Sequence, residues 1–281
     1  MKPEGNPTLV PQTSTARSVE SRQAKDGQAK AGGALQQLEQ LEAMVAAELK
    51  SAKVPTLSII VPAFNEVKTI DQVLQALQNL PIEKQIIVID DGSTDGTREK
   101  LQAWQEQGAI EVFLHAKNQG KGAALQTGFR IATGKIIIVQ DADLEYFPED
   151  ILDVIEPILE GNASVVYGSR YLQNEHQDGS RVHRFGNWLL TWLSNAATGQ
   201  KLTDMETCYK AFRGDVLRKI SIQQNRFGFE PEITAKVAKQ GIAIQEVPIR
   251  YQARSWSEGK KIGVRDLINT LYCILRYRFG S

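Results

Sequence analysis

The sequence predicts an α/β protein, a mostly parallel sheet covered by helices on both faces. Three observations predict it. Strand-like and helix-like stretches alternate from Val54 onward. The connections between them are short. The strand-like stretches are near-continuous Ile/Val runs, as expected of strands buried on both faces.

The elements follow in order. Residues 1–33 are rich in Ser, Thr, Gln, Lys and Gly and hold almost no large apolar side chains, so they cannot offset their ordering entropy and are expected to be a disordered tail. Over residues 34–53, Leu35, Leu38, Leu41, Val45 and Leu49 recur at spacings of three and four, which predicts a short amphipathic helix. That helix either packs on the main domain or pairs with another chain, making a homo-oligomer. The globular domain is expected over residues 54–281.

Residues 57–61 read as a first strand stopped by Pro62, residues 69–80 as a helix, and residues 85–89 as a second strand. Asp90-Asp-Gly-Ser-Thr-Asp-Gly96 is dense turn chemistry, followed by a helix over 97–107 that Gly108 closes. A third strand over 110–114, a helix over 121–133 ended by Gly134, and a fourth strand over 135–140 complete the regular half. Later signals are sparser: a strand over 163–168, an apolar helix over 185–198 carrying Trp188 and Trp192, a strand over 242–247, and a basic amphipathic stretch over 263–279.

Composition narrows the function. The 281 residues carry 33 basic and 33 acidic side chains, so no global field draws the chain to nucleic acid. Cys208 and Cys273 are too few for a disulfide framework and lack metal-ligand spacing, which points to a reducing, cytoplasmic setting. No run approaches the roughly 20 apolar residues of a membrane span, and no signal-peptide h-region opens the chain. Secreted, wholly disordered and multi-spanning classes are excluded.

In open α/β sheets, ligands sit beyond the carboxyl ends of the strands. Three polar clusters fall there: Pro62-Ala-Phe-Asn-Glu66, Asp90-Asp91 and Asp141-Ala-Asp143. Their convergence predicts one crevice lined by carboxylates. Side chains at i and i+2 of an extended segment point the same way, so Asp141 and Asp143 can face one ion, with Glu145 as a further ligand from the loop. An oxygen-only donor set favours Mg²⁺ or Mn²⁺, which takes its remaining ligands from substrate phosphates and water. Asp90 and Asp95 are expected to organise the turn while Asp91 accepts hydrogen bonds from a base or ribose. Gln119-Gly-Lys-Gly122 lacks the P-loop spacing and reads as helix capping and close packing. Residues 250–281 hold seven basic side chains against two acidic ones, a local excess suited to phosphate oxygens or an anionic lipid face. Leu267, Leu271, Ile274 and Leu275 recur there at helical spacing, which reads as core packing or as peripheral membrane contact. His115, His176 and His183 have no evident partners in the sequence.

Five motifs occur in order: Ser58-Ile-Ile-Val-Pro-Ala-Phe-Asn-Glu66, Val88-Ile-Asp-Asp-Gly-Ser-Thr-Asp-Gly-Thr97, Asn118-Gln-Gly-Lys-Gly122, Gln140-Asp-Ala-Asp-Leu144 and Gly168-Ser-Arg-Tyr171. Together they resemble the family 2 inverting glycosyltransferases of GT-A (Rossmann-like) fold, in particular the dolichyl- or polyprenyl-phosphate mannose and glucose synthases. The resemblance implies donor contacts at Pro62, Phe64, Glu66 and Asp91, and metal ligation at Asp141 and Asp143. It places Arg254 and Lys260 in a donor-phosphate loop, and Arg170 and Arg184 at basic positions associated with phosphate groups.

The implied reaction is metal-dependent transfer of a hexose from a nucleoside-diphosphate sugar, of GDP-mannose or UDP-glucose type, to a polyprenyl phosphate with inversion. Asp143, Arg170 and Arg184 are its expected catalytic groups. Peripheral attachment to the cytoplasmic membrane face goes with such an acceptor. Three rivals remain: a family 2 enzyme with a soluble or polysaccharide hydroxyl acceptor, with Asp204 or Glu206 as base, a nucleotidyltransferase, and a non-catalytic nucleotide-sugar-binding or scaffold protein. A nucleotidyltransferase is disfavoured, because Pro62-Ala-Phe-Asn-Glu66 stands where its early Gly-rich loop belongs.

Overall fold

The computed structural model describes residues 55–172, 181–253 and 264–279, except for the side chains at 181–183, 264–268 and 279. The chain divides into two units, Met1–Lys53 and Val54–Ser281. The expected tail and helix over 1–53, His176, the His183 side chain, Arg254 and Lys260 lie outside the described residues.

Seven strands form one sheet in the order β3-β2-β1-β4-β6-β5-β7. They are β1 (Leu57–Ala63), β2 (Lys84–Asp90), β3 (Glu111–Leu114), β4 (Ile136–Val139), β5 (Val165–Ser169), β6 (Lys210–Arg213) and β7 (Gln245–Pro248). All neighbours pair in parallel except β6, which runs antiparallel to both β4 and β5. The Ile/Val runs of β1, β2 and β4 are buried along nearly their whole length, as strands covered on both faces must be.

Helices α1 (Ile70–Asn79), α2 (Thr97–Glu106), α3 (Lys121–Ile131) and α4 (Ile151–Leu159) connect the first five strands. In α1, Ile70, Val73, Leu74 and Leu77 are buried at helical spacing, so that stripe seats the helix on the core. Helices α5 (Arg181–Thr198), α7 (Phe229–Lys239) and α8 (Val264–Phe279) pack on one another, and the single turn α6 (Gly214–Leu217) follows β6.

Several expectations need correction. Pro62 does not stop β1, which pairs with β2 through Pro62 and Ala63. Ile60 accepts from Gln140 on the β4 side and Ala63 accepts from Asp91 on the β2 side. The missing N–H of Pro62 therefore falls toward β4, whose pairing with β1 has already ended at Ile60. The strand expected over 242–247 forms later, because Gly241 (φ 71°) is in a left-handed turn and Ile242 still bonds back to Val237 of α7. On α8, Ile274 faces inward with Cys273 and Tyr277, and Leu275 stays exposed, so core packing claims part of the stripe read there.

Candidate active site

The β1 and β2 tips are bound together largely by side chain to backbone hydrogen bonds, and the Thr69 hydroxyl joins them to the chain after β4. Asn65 is in the left-handed region (φ 57°) and accepts from the Thr94 N–H at 2.9 Å, while its own N–H donates to Ser93 Oγ at 3.0 Å. Thr97 Oγ1 accepts from the Glu66 N–H (2.9 Å), and Asp95 accepts from the Val67 N–H (3.1 Å). Asp90 is fully buried and bonded by Arg98 through Nε (2.9 Å) and Nη2 (2.5 Å). Asp90 and Asp95 thus hold the turn. Asp91 takes donors from the protein itself: the N–H groups of Gln119 (3.0 Å) and Gly120 (2.7 Å), beside His115 Nδ1 at 2.7 Å. His115 also reaches Thr127 Oγ1 at 3.1 Å, so it has the partners that its sequence context did not reveal. Phe64 stands exposed at this rim, Pro62 is half-buried, and Glu66 lies with Thr69, whose hydroxyl is 2.8 Å from the Ala142 carbonyl.

Beyond β4 the chemistry changes to charge against charge. Asp141 is half-buried, and both its oxygens face the Lys121 ammonium, at 2.8 and 3.0 Å. Lys121 opens α3 and also lies 3.8 Å from Glu230 in the first turn of α7. Burial acts against its charge, but Asp141, with Glu230, reverses that and holds its pKa well above the ordinary value. Asp143 accepts from the Glu145 N–H at 3.2 Å. The Glu145 side chain is buried and accepts from the Tyr251 hydroxyl at 2.8 Å. Among the described residues no three His, Cys, Asp or Glu side chains are grouped as a metal cage.

Asp141 and Asp143 offer two carboxylates, a number that fits Mg²⁺ or Mn²⁺ shared with a diphosphate, since such ions commonly keep one or two protein carboxylates. Lys121 already supplies a positive charge to Asp141 there.

Arg170 follows β5 and donates to Asp204 through Nε (2.6 Å) and Nη2 (2.8 Å), with Asp204 fully buried. Its guanidinium lies 5.0 Å from the Tyr251 ring centroid. Arg170 is therefore tied to Asp204. Arg184 is half-buried in the first turn of α5. Glu206 is the remaining acid. Burial, reinforced by Glu230 and opposed by Lys210, pushes its pKa up to about 8, and its Oε1 has no hydrogen-bond partner among the described residues. Lys210 is fully buried on β6, donates to the carbonyls of Met205 and Thr207, and lies 4.7 Å from the Tyr167 ring centroid. Burial lowers its pKa, with Glu230 opposing.

The sequence reading missed Lys121, Glu230 and Lys210 as members of the site. Lys121 was visible in Gln119-Gly-Lys-Gly122, but its glycines explain themselves by packing, since a Cβ at Gly120 or Gly122 would run into the 224–225 backbone. Only the tertiary fold brings Glu230 of α7 to Lys121.

Residues 58–221 match the family model described as Glycosyl transferase family 2. The undecaprenyl-phosphate mannosyltransferase of Micrococcus luteus is 28% identical over 212 residues, spanning 73% of this chain and 86% of that protein. The dodecaprenyl-phosphate galacturonate synthase of Rhizobium johnstonii is 27% identical over 244 residues, spanning 80% of this chain and 70% of that one. Among solved structures, glucosyl-3-phosphoglycerate synthase of Mycobacterium tuberculosis, crystallised with Mn²⁺, UDP and glucosyl-3-phosphoglycerate, superposes with a TM-score of 0.62 at 21% identity over 81% of each chain. The fold is that of the GT-A enzymes, and the chain belongs to glycosyl transferase family 2.

Proposed function

We propose that this glycosyltransferase moves a hexose from a nucleoside-diphosphate sugar to the phosphate of a polyprenyl lipid, with inversion at the anomeric carbon. The observation that carries the reading is the agreement of two relatives, one named for mannose and one for galacturonate, that share a polyprenyl phosphate in their names. The sugar varies between them and the acceptor type does not.

In this reading Asp141 and Asp143 hold Mg²⁺ or Mn²⁺ against the donor diphosphate. The ion supplies charge neutralisation for the departing nucleoside diphosphate. Phe64 offers its exposed ring to the base, and Pro62, Glu66 and Asp91 shape the rest of the nucleoside pocket. Lys121, paired with Asp141 in the structure, would meet phosphate oxygens once Asp141 takes up a cation. Arg170 acts as a positioning residue that fixes the turn after β5. Arg184, Arg254 and Lys260 supply further positive charge toward phosphates. A lipid phosphate is already anionic at neutral pH, so no side chain has to take a proton from it.

A hydroxyl acceptor is the second reading, and one observation favours it. Glu206 has a pKa near the operating pH, as a general base requires. Incubation with labelled GDP- and UDP-hexoses, Mg²⁺ or Mn²⁺, and vesicles holding polyprenyl phosphate separates the two. Label is expected in a lipid-extractable, acid-labile hexosyl phosphate, and Glu206→Gln is expected to keep most of that activity. Transfer only to a hydroxyl, with about 100-fold loss in Glu206→Gln, would establish the second reading instead.

A further inference from the structure

The chain between Asp143 and Glu145 is strained. Leu144 has φ 60°, in the left-handed region, where a bulky side chain is an outlier. A conformation of that kind persists only where its surroundings over-determine it. Glu145 supplies the hold. Its N–H donates to Asp143 Oδ1 at 3.2 Å, its carbonyl accepts from the Gln252 N–H at 2.9 Å, and its buried carboxylate accepts from the Tyr251 hydroxyl at 2.8 Å. Tyr251 and Gln252 follow β7, whereas Asp143 follows β4, so the tie joins the tips of strands that β6 and β5 separate in the sheet.

We propose that Tyr251 is a positioning residue for the Asp143 carboxylate: its hydroxyl fixes Glu145 and thereby the left-handed turn that carries Asp143. The residue is itself held. It is buried, forms an isolated antiparallel bridge with Tyr146, and sets its ring edge-on to the Tyr146 ring at 5.2 Å. The Arg170 guanidinium lies 5.0 Å from the same ring and is pinned in turn by Asp204. Phenylalanine would fill that space equally well, so packing explains the ring and not the hydroxyl. What the hydroxyl adds is a donor aimed at a buried carboxylate. Groups that orient a metal-binding carboxylate from behind commonly change metal affinity by about 10–100-fold when removed. The inference rests on the proposed role of Asp141 and Asp143 in holding a divalent cation, and is independent of the acceptor.

The test is calorimetric titration of the full chain with UDP and GDP, in Mn²⁺ and again in chelator, with free Mn²⁺ followed by its electron paramagnetic resonance signal. Tyr251→Phe keeps the ring and should keep the thermal midpoint close to wild type. Expected is an about tenfold weaker affinity for the preferred nucleotide in Mn²⁺, with a matching loss of bound Mn²⁺, and no change in chelator. Equal weakening in both conditions would be a general structural defect and would overturn the proposal. In Glu145→Ala, where the hydroxyl has already lost this acceptor, Tyr251→Phe should add little. A further loss of about tenfold in that background would mean that Tyr251 acts through another contact, and would likewise overturn the proposal. Wild-type affinity in Tyr251→Phe, with the parent protein still dependent on Mn²⁺, overturns this inference alone. A parent protein indifferent to Mn²⁺ overturns the metal reading, and this inference with it.

Discussion

The two halves of the candidate site are built on different principles. At the β1 and β2 tips, short polar side chains mostly satisfy backbone N–H groups: Ser93 serves Asn65, Thr97 serves Glu66, Asp95 serves Val67, and Asp91 serves Gln119 and Gly120. At the β4, β5 and β6 tips, charges meet charges: Lys121 with Asp141 and Glu230, and Arg170 with Asp204. Backbone donors have fixed directions, so the first half is a rigid frame. A lysine between two carboxylates has other partners within reach, so the second half is able to re-pair when a diphosphate and a cation arrive. On the function proposed above, the nucleoside sits on the frame and the chemistry falls to the charged half.

The largest effect that would sharpen this contrast is expected at the metal pair. Asp143→Ala should lower metal-dependent turnover by about 100-fold or more while leaving the thermal midpoint close to wild type, read by transfer assay and calorimetry. A near-normal rate would place the chemistry elsewhere. Next comes Asp204→Asn, which leaves the Arg170 charge buried without its counter-ion. Chemical denaturation should show a loss of about 3–5 kcal/mol, and replacing both partners with apolar residues should cost less than the single change. In the frame, Arg98→Met strips buried Asp90 of its guanidinium and should cost about 1–3 kcal/mol, with a smaller loss of turnover than Asp143→Ala. An equal or greater turnover loss would erase the division between the two halves.

The smallest effect is a slope with pH. The Glu206 pKa is raised to about 8, chiefly by burial, so between its unfolded value of 4.5 and about 8 the folded chain holds a proton that the unfolded chain has released. Stability from this group is full below the lower value and falls as pH rises toward 8. Denaturation of wild type and Glu206→Gln across pH 5–8 should show the steeper decline in wild type. Parallel curves would mean that the carboxyl titrates normally.

The frame was largely legible in the sequence because its contacts are local to two successive β-α units. Turn formers at 90–97 and the strand-end residues at 62–66 announce themselves by type and spacing. The charged half was legible only at Asp141 and Asp143. Strand β6 is four residues long and begins with a buried lysine, so neither periodicity nor burial pattern marks it. Helix α4 hides behind Pro157, which reads as a breaker in a nine-residue helix. The hydrogen bond from Tyr251 to Glu145 depends on the return of the chain more than a hundred residues later, which spacing along the sequence does not show. The Trp188 and Trp192 face is apolar in sequence, but nothing there distinguishes a ring turned inward from one turned to water.

The central claim is that Asp141 and Asp143, with a divalent cation, grip the donor's diphosphate. Calorimetric titration with UDP and GDP, in Mg²⁺ and again in chelator, tests it most directly. The account predicts that affinity for the preferred nucleotide falls at least about tenfold without the ion, and that Asp143→Ala binds alike in both conditions. Equal affinity of the wild-type protein with and without the ion would contradict it.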